Sequence, residues 1–150
     1  MRISATNIPD IQKLSKILKD KGMRMTPQRA SVHRAMMTLV HASADMVAGH
    51  LAASGITNVT VASVYNILSS MADKGIYGRR FSSNNKMYFD VVPSKHLHLY
   101  DTKNNEFKDI TDTELYPLVE AHLKGRRFRG YRIDRIEIQV VCHATGKKTK

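Results

Sequence analysis

An α+β fold in two parts is predicted by three features of the chain. Apolar residues at helical spacing, with cap and stop signals around them, fill residues 10–75. The period then changes to that of strands. A smaller mixed stretch follows a boundary between Asp90 and Ser94 that is marked by Pro93. The expected organisation is an N-terminal winged-helix domain over 1–90 and a small α/β dimerisation domain over 91–150.

The elements follow in order. Ile11, Leu14 and Leu18 lie on one helical face, and Gly22 after Lys21 is a stop signal. Thr26 and Pro27 are an N-cap and a first-turn proline, and Ala30, Ala35, Met36 and Leu39 carry one face of a second helix. Ser43 caps a third, short helix through Leu51, closed by Gly55. Thr60 caps a fourth, where Val61, Val64, Leu68 and Met71 form an apolar stripe before Gly75 ends it. Four helices are thus expected before any strand. A hairpin comes next: Gly78–Phe81, a polar turn at Ser82–Asn85, then Lys86–Phe89. Helices ahead of a two-stranded hairpin are in the order of a winged helix, whose last helix enters the major groove. Here that is helix 60–74, whose polar side holds Ser63, Tyr65, Asn66, Ser69 and Ser70. An ordinary amphipathic helix with a neutral polar face has the same periodicity. In the second half, strands at 97–100 and 106–110, a helix at 113–124 and a long strand at 131–141 are expected. Phe107, Ile110, Leu115, Leu118, Val119, Ile136, Ile138 and Val140 are its candidate core. A unit of this size gains from burying a face against a second copy, which predicts a homodimer.

Charge narrows the partners. The chain has 24 Lys and Arg against 13 Asp and Glu, a formal net charge of +11. It is bipolar: residues 1–90 hold 12 basic and 5 acidic side chains, 91–123 hold 3 and 6, and 124–150 hold 9 and 2. A cationic half can follow phosphates by releasing their counterions, so double-stranded DNA is the expected partner. No apolar run approaches the roughly 20 residues a membrane span needs, which excludes an integral membrane protein. The segment MRISATNIPD lacks the order of a secretory signal, and a lone Cys142 cannot form an internal disulfide, so a reducing cytoplasm is the expected location. The final GKKTK reads as a basic tail.

Seven histidines include the triplet His96-Leu97-His98. Residues two apart on a strand share a face, so both imidazoles can reach one ion. Two half-exposed histidines at a domain junction would read the same way. Carboxylates and a further imidazole favour ligation: Asp90 precedes the triplet, Asp109 lies on the next strand, and His41 ends the second helix. Nitrogen and oxygen donors together suit iron, manganese or zinc. His33, His50, His122 and His143 lack such neighbours and read as surface or core residues.

Four stretches carry a family resemblance: Gly22-Met23-Arg24-Met25-Thr26-Pro27-Gln28-Arg29, His41-Ala42-Ser43-Ala44-Asp45, Thr60-Val61-Ala62-Ser63-Val64-Tyr65-Asn66-Ile67-Leu68 and Gly75-Ile76. With the HxH triplet beyond them, they resemble the ferric uptake regulator family, and its peroxide-regulator branch most, over about residues 10–142. The resemblance implies a homodimeric, metal-responsive transcription repressor serving iron or manganese homeostasis or the peroxide response. It implies one Fe2+, Mn2+ or Zn2+ ion per chain, held by His41, Asp90, His96, His98 and Asp109. Arg24, by the same resemblance, reaches DNA beside the recognition helix. Arg24, Arg29, Ser63, Tyr65, Asn66, Arg79, Arg80 and Lys86 make up the candidate DNA face.

Three departures stand out. The family's CxxC pairs, which hold a structural zinc, are missing: Asp101 and Asn104 stand at the first pair, and Cys142 is all that remains near the second. A thiolate zinc site is therefore not expected. Lys95, Leu97 and Ile136 break a further ligand set of some iron-sensing members, and Asn66 replaces the usual Arg after the helix Tyr. A His/Asp metalloenzyme and a metal-independent nucleic-acid-binding module are the alternatives. No nucleophile elbow or phosphate loop accompanies the donors.

Overall fold

Side chains that accept hydrogen bonds from first-turn amides set where the first four helices begin. In the computed structural model, which describes residues 2–3, 7–93 and 95–146, the elements in chain order are β1 (Arg2–Ile3), α1 (Ile11–Asp20), α2 (Pro27–Leu39), β2 (His41–Ser43), α3 (Ala44–Ala53), α4 (Val61–Asp73), β3 (Gly78–Phe81), β4 (Met87–Asp90), β5 (Leu97–Asp101), β6 (Glu106–Thr111), α5 (Leu115–Leu123) and β7 (Gln139–Cys142). Asp10, Thr26, Ser43 and Thr60 each accept from the amide three residues on, at 2.8, 3.1, 3.4 and 3.1 Å. The chain divides into two compact units, Thr6–Ser94 and Lys95–Lys150 with Met1–Ala5.

In the first unit, α1 to α4 pack around Leu14, Leu18, Val32, Met36, Val47, Val64, Leu68 and Met71, all fully buried or nearly so, with Phe89 of β4 against them. Each such side chain contributes about 1.5–3 kcal/mol by leaving water. The three-stranded sheet runs in the order β2-β4-β3, wholly antiparallel. This is a winged helix with one element beyond expectation. Strand β1 precedes every helix, paired with β6, and β2 precedes the third, so the order of four helices before any strand is corrected: three residues after α2 extend because β4 offers them a ladder. The hairpin also shifts. Its second strand starts at Met87 rather than Lys86, because Asn85 takes a positive φ of 60° and the Ser82 amide closes the turn on the Lys86 carbonyl.

The second unit is a four-stranded sheet in the order β1-β6-β5-β7, with β7 parallel to β5. Leu97, Ile110 and Tyr116 are its buried centre, with Leu99, Leu115, Ile136 and Ile138 half-buried around them. Helix α5 begins two residues later than expected, after the Asp112 side chain takes the amides of Glu114 and Leu115 at 2.6 and 3.0 Å. The long strand expected at 131–141 shrinks to Gln139–Cys142. Parallel pairing places His98 opposite Gln139, so earlier residues would need partners before Leu97, where β5 has not yet started. Leu118 and Val140, expected in the core, are 66% and 40% exposed. Among the described residues, no helix is long and apolar enough to cross a membrane. Lys147–Lys150 of the expected tail lie outside the described residues.

Candidate metal centre

Backbone turning sets up the first group of donors. Val40, the residue after α2, has φ 62° and ψ −54°, a conformation a β-branched side chain rarely tolerates. Its carbonyl accepts from the Val91 amide at 3.0 Å. The chain is thereby folded sharply from helix into β2, and His41 falls directly opposite Asp90 of β4. His41 Nε2 lies 3.3 Å from Asp90 Oδ2. The other carboxylate oxygen, Oδ1, accepts from the Val92 amide at 2.9 Å. Asp90 is 1% exposed.

The second group forms within the other unit. His98 of β5 is directly opposite Asp109 of β6, and His96 lies two residues before it. Asp109 Oδ1 lies 2.9 Å from His96 Nε2 and 3.3 Å from His98 Nε2, and the two imidazole centroids are 4.2 Å apart. Asp109 and His98 are buried and His96 half-buried. The edge of His98 rests against Phe107. Each residue of either group offers a ligand atom within 4.8 Å of the others in its group. Buried carboxylate oxygens beside imidazole nitrogens are the donor chemistry of Fe2+, Mn2+ and Zn2+, so both groups fit such an ion.

At Asp101 and Asn104, which stand where the resemblance implies a first CxxC pair, this chain has a hydrogen-bonded clasp. Asp101, which is buried, accepts from Asn104 Nδ2 at 2.7 Å, the Lys103 amide at 2.9 Å and the Ala144 amide at 3.2 Å. Burial alone would raise the Asp101 carboxyl, but the Asn104 side chain and the amides of Lys103, Ala144 and Asn104 hold it below the usual carboxylate range. Thr102 adds its amide and hydroxyl to the Cys142 carbonyl at 2.9 and 3.1 Å. The turn after β5 is thus tied to the end of β7 by hydrogen bonds.

On α4, Tyr65 and Asn66 are exposed and Ser63 is half-buried in the Thr60 cap. Tyr65 stands edge-on to Phe89, and a cleft of about 450 Å³ between α4 and the wing is lined by Asp45, Tyr65, Asn66 and Lys86 among others. Arg24 is exposed, and Arg29 donates to the Arg24 carbonyl. Arg79 pairs with Asp73, and Lys86 reaches Asp45 at 3.3 Å. Arg80 behaves differently. Its Nη2 lies 3.7 Å from Asp90 Oδ2, and its side chain is only 13% exposed.

Sequence reasoning missed this placement of Arg80 because the face depends on hairpin register. Arg80 is opposite Tyr88, and Gly78 opposite Asp90, so Arg80 and Asp90 share a face. A second strand starting one residue earlier points Arg80 the other way. Of the histidines set aside, His33 is a core residue held by Tyr77 and Pro9, His50 is half-buried, and His122 and His143 are exposed.

Known proteins share this sequence pattern and this fold. A family model described as "Ferric uptake regulator family" matches residues 20–141. The chain is 27% identical over 143 residues to the peroxide operon regulator of Bacillus subtilis, covering 93% of this chain and 95% of that protein. Its fold is similar to the ferric uptake regulator of Vibrio cholerae, with TM-score 0.71 and 19% identity over 87% of this chain and 99% of the other. It is also similar to the ferric uptake regulator from Pseudomonas aeruginosa solved with manganese, with TM-score 0.67 and 19% identity over 87% and 96%.

Proposed function

The chain belongs to the ferric uptake regulator family, and from that premise we propose how this member works. Its role is metal-responsive transcriptional repression, not catalysis. A homodimer binds operator DNA through α4 and the wing, with Arg24, Arg29, Ser63, Tyr65, Asn66, Arg79, Arg80 and Lys86 as the contacting face. One divalent ion per chain, Fe2+ or Mn2+ before Zn2+, takes ligands from His41 and Asp90 of one unit and from His96, His98 and Asp109 of the other. When bound, the ion supplies two positive charges to which donors of both units are attracted.

The observation that carries this reading is the buried Asp109 carboxylate set between two imidazoles, at 2.9 and 3.3 Å. A carboxylate so placed holds the rings ready, and an ion that satisfies them together with His41 and Asp90 selects one arrangement of the two units. Dimerisation through the second unit is supported by its exposed apolar side chains: Leu118 on α5, Val140 and Val141 on β7. The resemblance to the peroxide operon regulator supports a peroxide signal, in which a ligand imidazole of a ferrous site is oxidised. That version predicts an added oxygen on His41 or His96, read by mass spectrometry.

Operator affinity measured across a metal series, anaerobically for ferrous iron, tests the mechanism. Replacing His96 and His98 by Ala should abolish metal dependence and leave the circular dichroism spectrum unchanged. Equal affinity of the unmutated protein with and without every divalent metal would refute it.

A further inference from the structure

We infer that Arg80 competes with the metal ion for Asp90, so that one arginine tunes metal affinity and is released for DNA when the ion arrives. The inference rests on the metal site and DNA face proposed above, and deepens them by adding a regulator of that site.

Both oxygens of the Asp90 carboxylate have neighbours. Oδ1 takes the Val92 amide at 2.9 Å, while Oδ2 has His41 Nε2 at 3.3 Å and Arg80 Nη2 at 3.7 Å. Oδ2 is thus the oxygen that the His41 imidazole and the guanidinium both face, and an ion taken there by His41 and Asp90 meets the arginine. The carboxylate is 1% exposed, so its charge needs a cationic neighbour when no metal is bound. Arg80 supplies it. The register places it there: Gly78 is directly opposite Asp90, and Arg80, two residues on, shares that face of the wing.

An ion on Oδ2 replaces that charge with two of its own, and a guanidinium at this spacing is then repelled. Arg80 belongs to β3, a strand of the wing, and β3 ends at Phe81, which is 70% exposed. A side chain displaced from Asp90 swings toward solvent on the element that would meet DNA phosphates. Metal binding thus adds a cation to the DNA face, and by linkage DNA binding favours the metal-loaded state.

The test uses the full-length protein, its Arg80→Gln variant and, to retain the charge, Arg80→Lys. Mn2+ affinity is measured by competition with a chelator, and the salt dependence of operator binding at saturating Mn2+. Arg80→Gln should bind Mn2+ about tenfold tighter or more, because a competing charge is gone. Arg80→Lys should stay nearer the unmutated protein. With Mn2+ bound, the slope of log K against log salt should fall for Arg80→Gln by about 0.9 for each phosphate the arginine had neutralised. Unchanged or weaker Mn2+ binding by Arg80→Gln would overturn the competition, and an unchanged salt slope would overturn the release. Failure of the unmutated protein to bind any divalent ion would instead overturn the metal site itself. Thermal unfolding of both variants without metal separates these outcomes from misfolding.

Discussion

His33 is wholly buried, and its two neighbours fix the tautomer of its neutral ring. The Pro9 carbonyl, 2.6 Å from Nε2, can only accept, so Nε2 carries the proton and Nδ1 accepts from the Tyr77 hydroxyl at 2.6 Å. Burial lowers the His33 pKa, against the opposing pull of the Pro9 carbonyl and Asp10, while burial raises that of Tyr77. The unfolded chain takes up the His33 proton near pH 6.5, above the folded value, so stability from this group is complete above about 6.5 and falls as pH drops. Denaturant midpoints at about pH 7.5 and about pH 5 should show that loss, and His33→Gln should reduce it while costing about 1–3 kcal/mol at the higher pH. A pH dependence unchanged in the variant would assign the effect elsewhere. Asp101 has the opposite sign. Its folded pKa is depressed, so its contribution is present above the ordinary carboxylate value and is lost as pH falls through the folded one. Asp101→Ala should speed hydrogen exchange at the Lys103 and Ala144 amides and lower the unfolding midpoint; unchanged exchange would show that the clasp holds nothing. Sequence could name Asp101 and Asn104 as the missing cysteines' replacements, but not that Ala144 completes their bonding. That partner lies 43 residues away and contributes only an amide, which every residue but proline has.

Elements were legible in proportion to how locally they are determined. Helices α2, α3 and α4 begin at the cap residues expected of them, because Thr26, Ser43 and Thr60 act within a single turn. Strand β2 was not, since nothing in His-Ala-Ser prefers extension; Asp90, Phe89 and Tyr88 impose it from β4. The alternation across 131–141 was a real pattern with no strand to pair with over most of its length. The five candidate donors are legible from residue type and order, whereas Arg80's inward turn depends on register. At the scale of α4, Tyr65→Ala should weaken specific operator binding by about 1–3 kcal/mol, the cost of giving up one base-edge interaction. Arg24→Ala should weaken it too and flatten the salt dependence. Mobility shifts in which both variants match the unmutated protein would displace α4 from the groove.

For the whole molecule, the missing thiolates predict that assembly and metal sensing are separable. Asp101 and Asn104 tie β5 to β7 by hydrogen bonds, so on the proposed mechanism chelation and alkylation of Cys142 should leave a dimer intact in sedimentation while abolishing metal dependence of DNA binding. Dissociation on chelation alone, or two stoichiometric ions per chain by elemental analysis, would reveal another site. The sheet of the second unit also has a timetable. Residues 2 and 3 at one end of the chain pair with 111 and 110, and β7 at the other end pairs with β5. The first unit, by contrast, is built from neighbouring helices and a hairpin. On a ribosome the helical unit can close soon after its wing emerges, while the sheet must wait for residues 139–142, the last of the described strands. Until β6 is made β1 has no strand to join, and until residues 139–142 follow β5 keeps one open edge. The unit proposed to bind DNA is therefore complete before the unit proposed to dimerise, and the half-made sheet is the segment a chaperone would have most reason to cover.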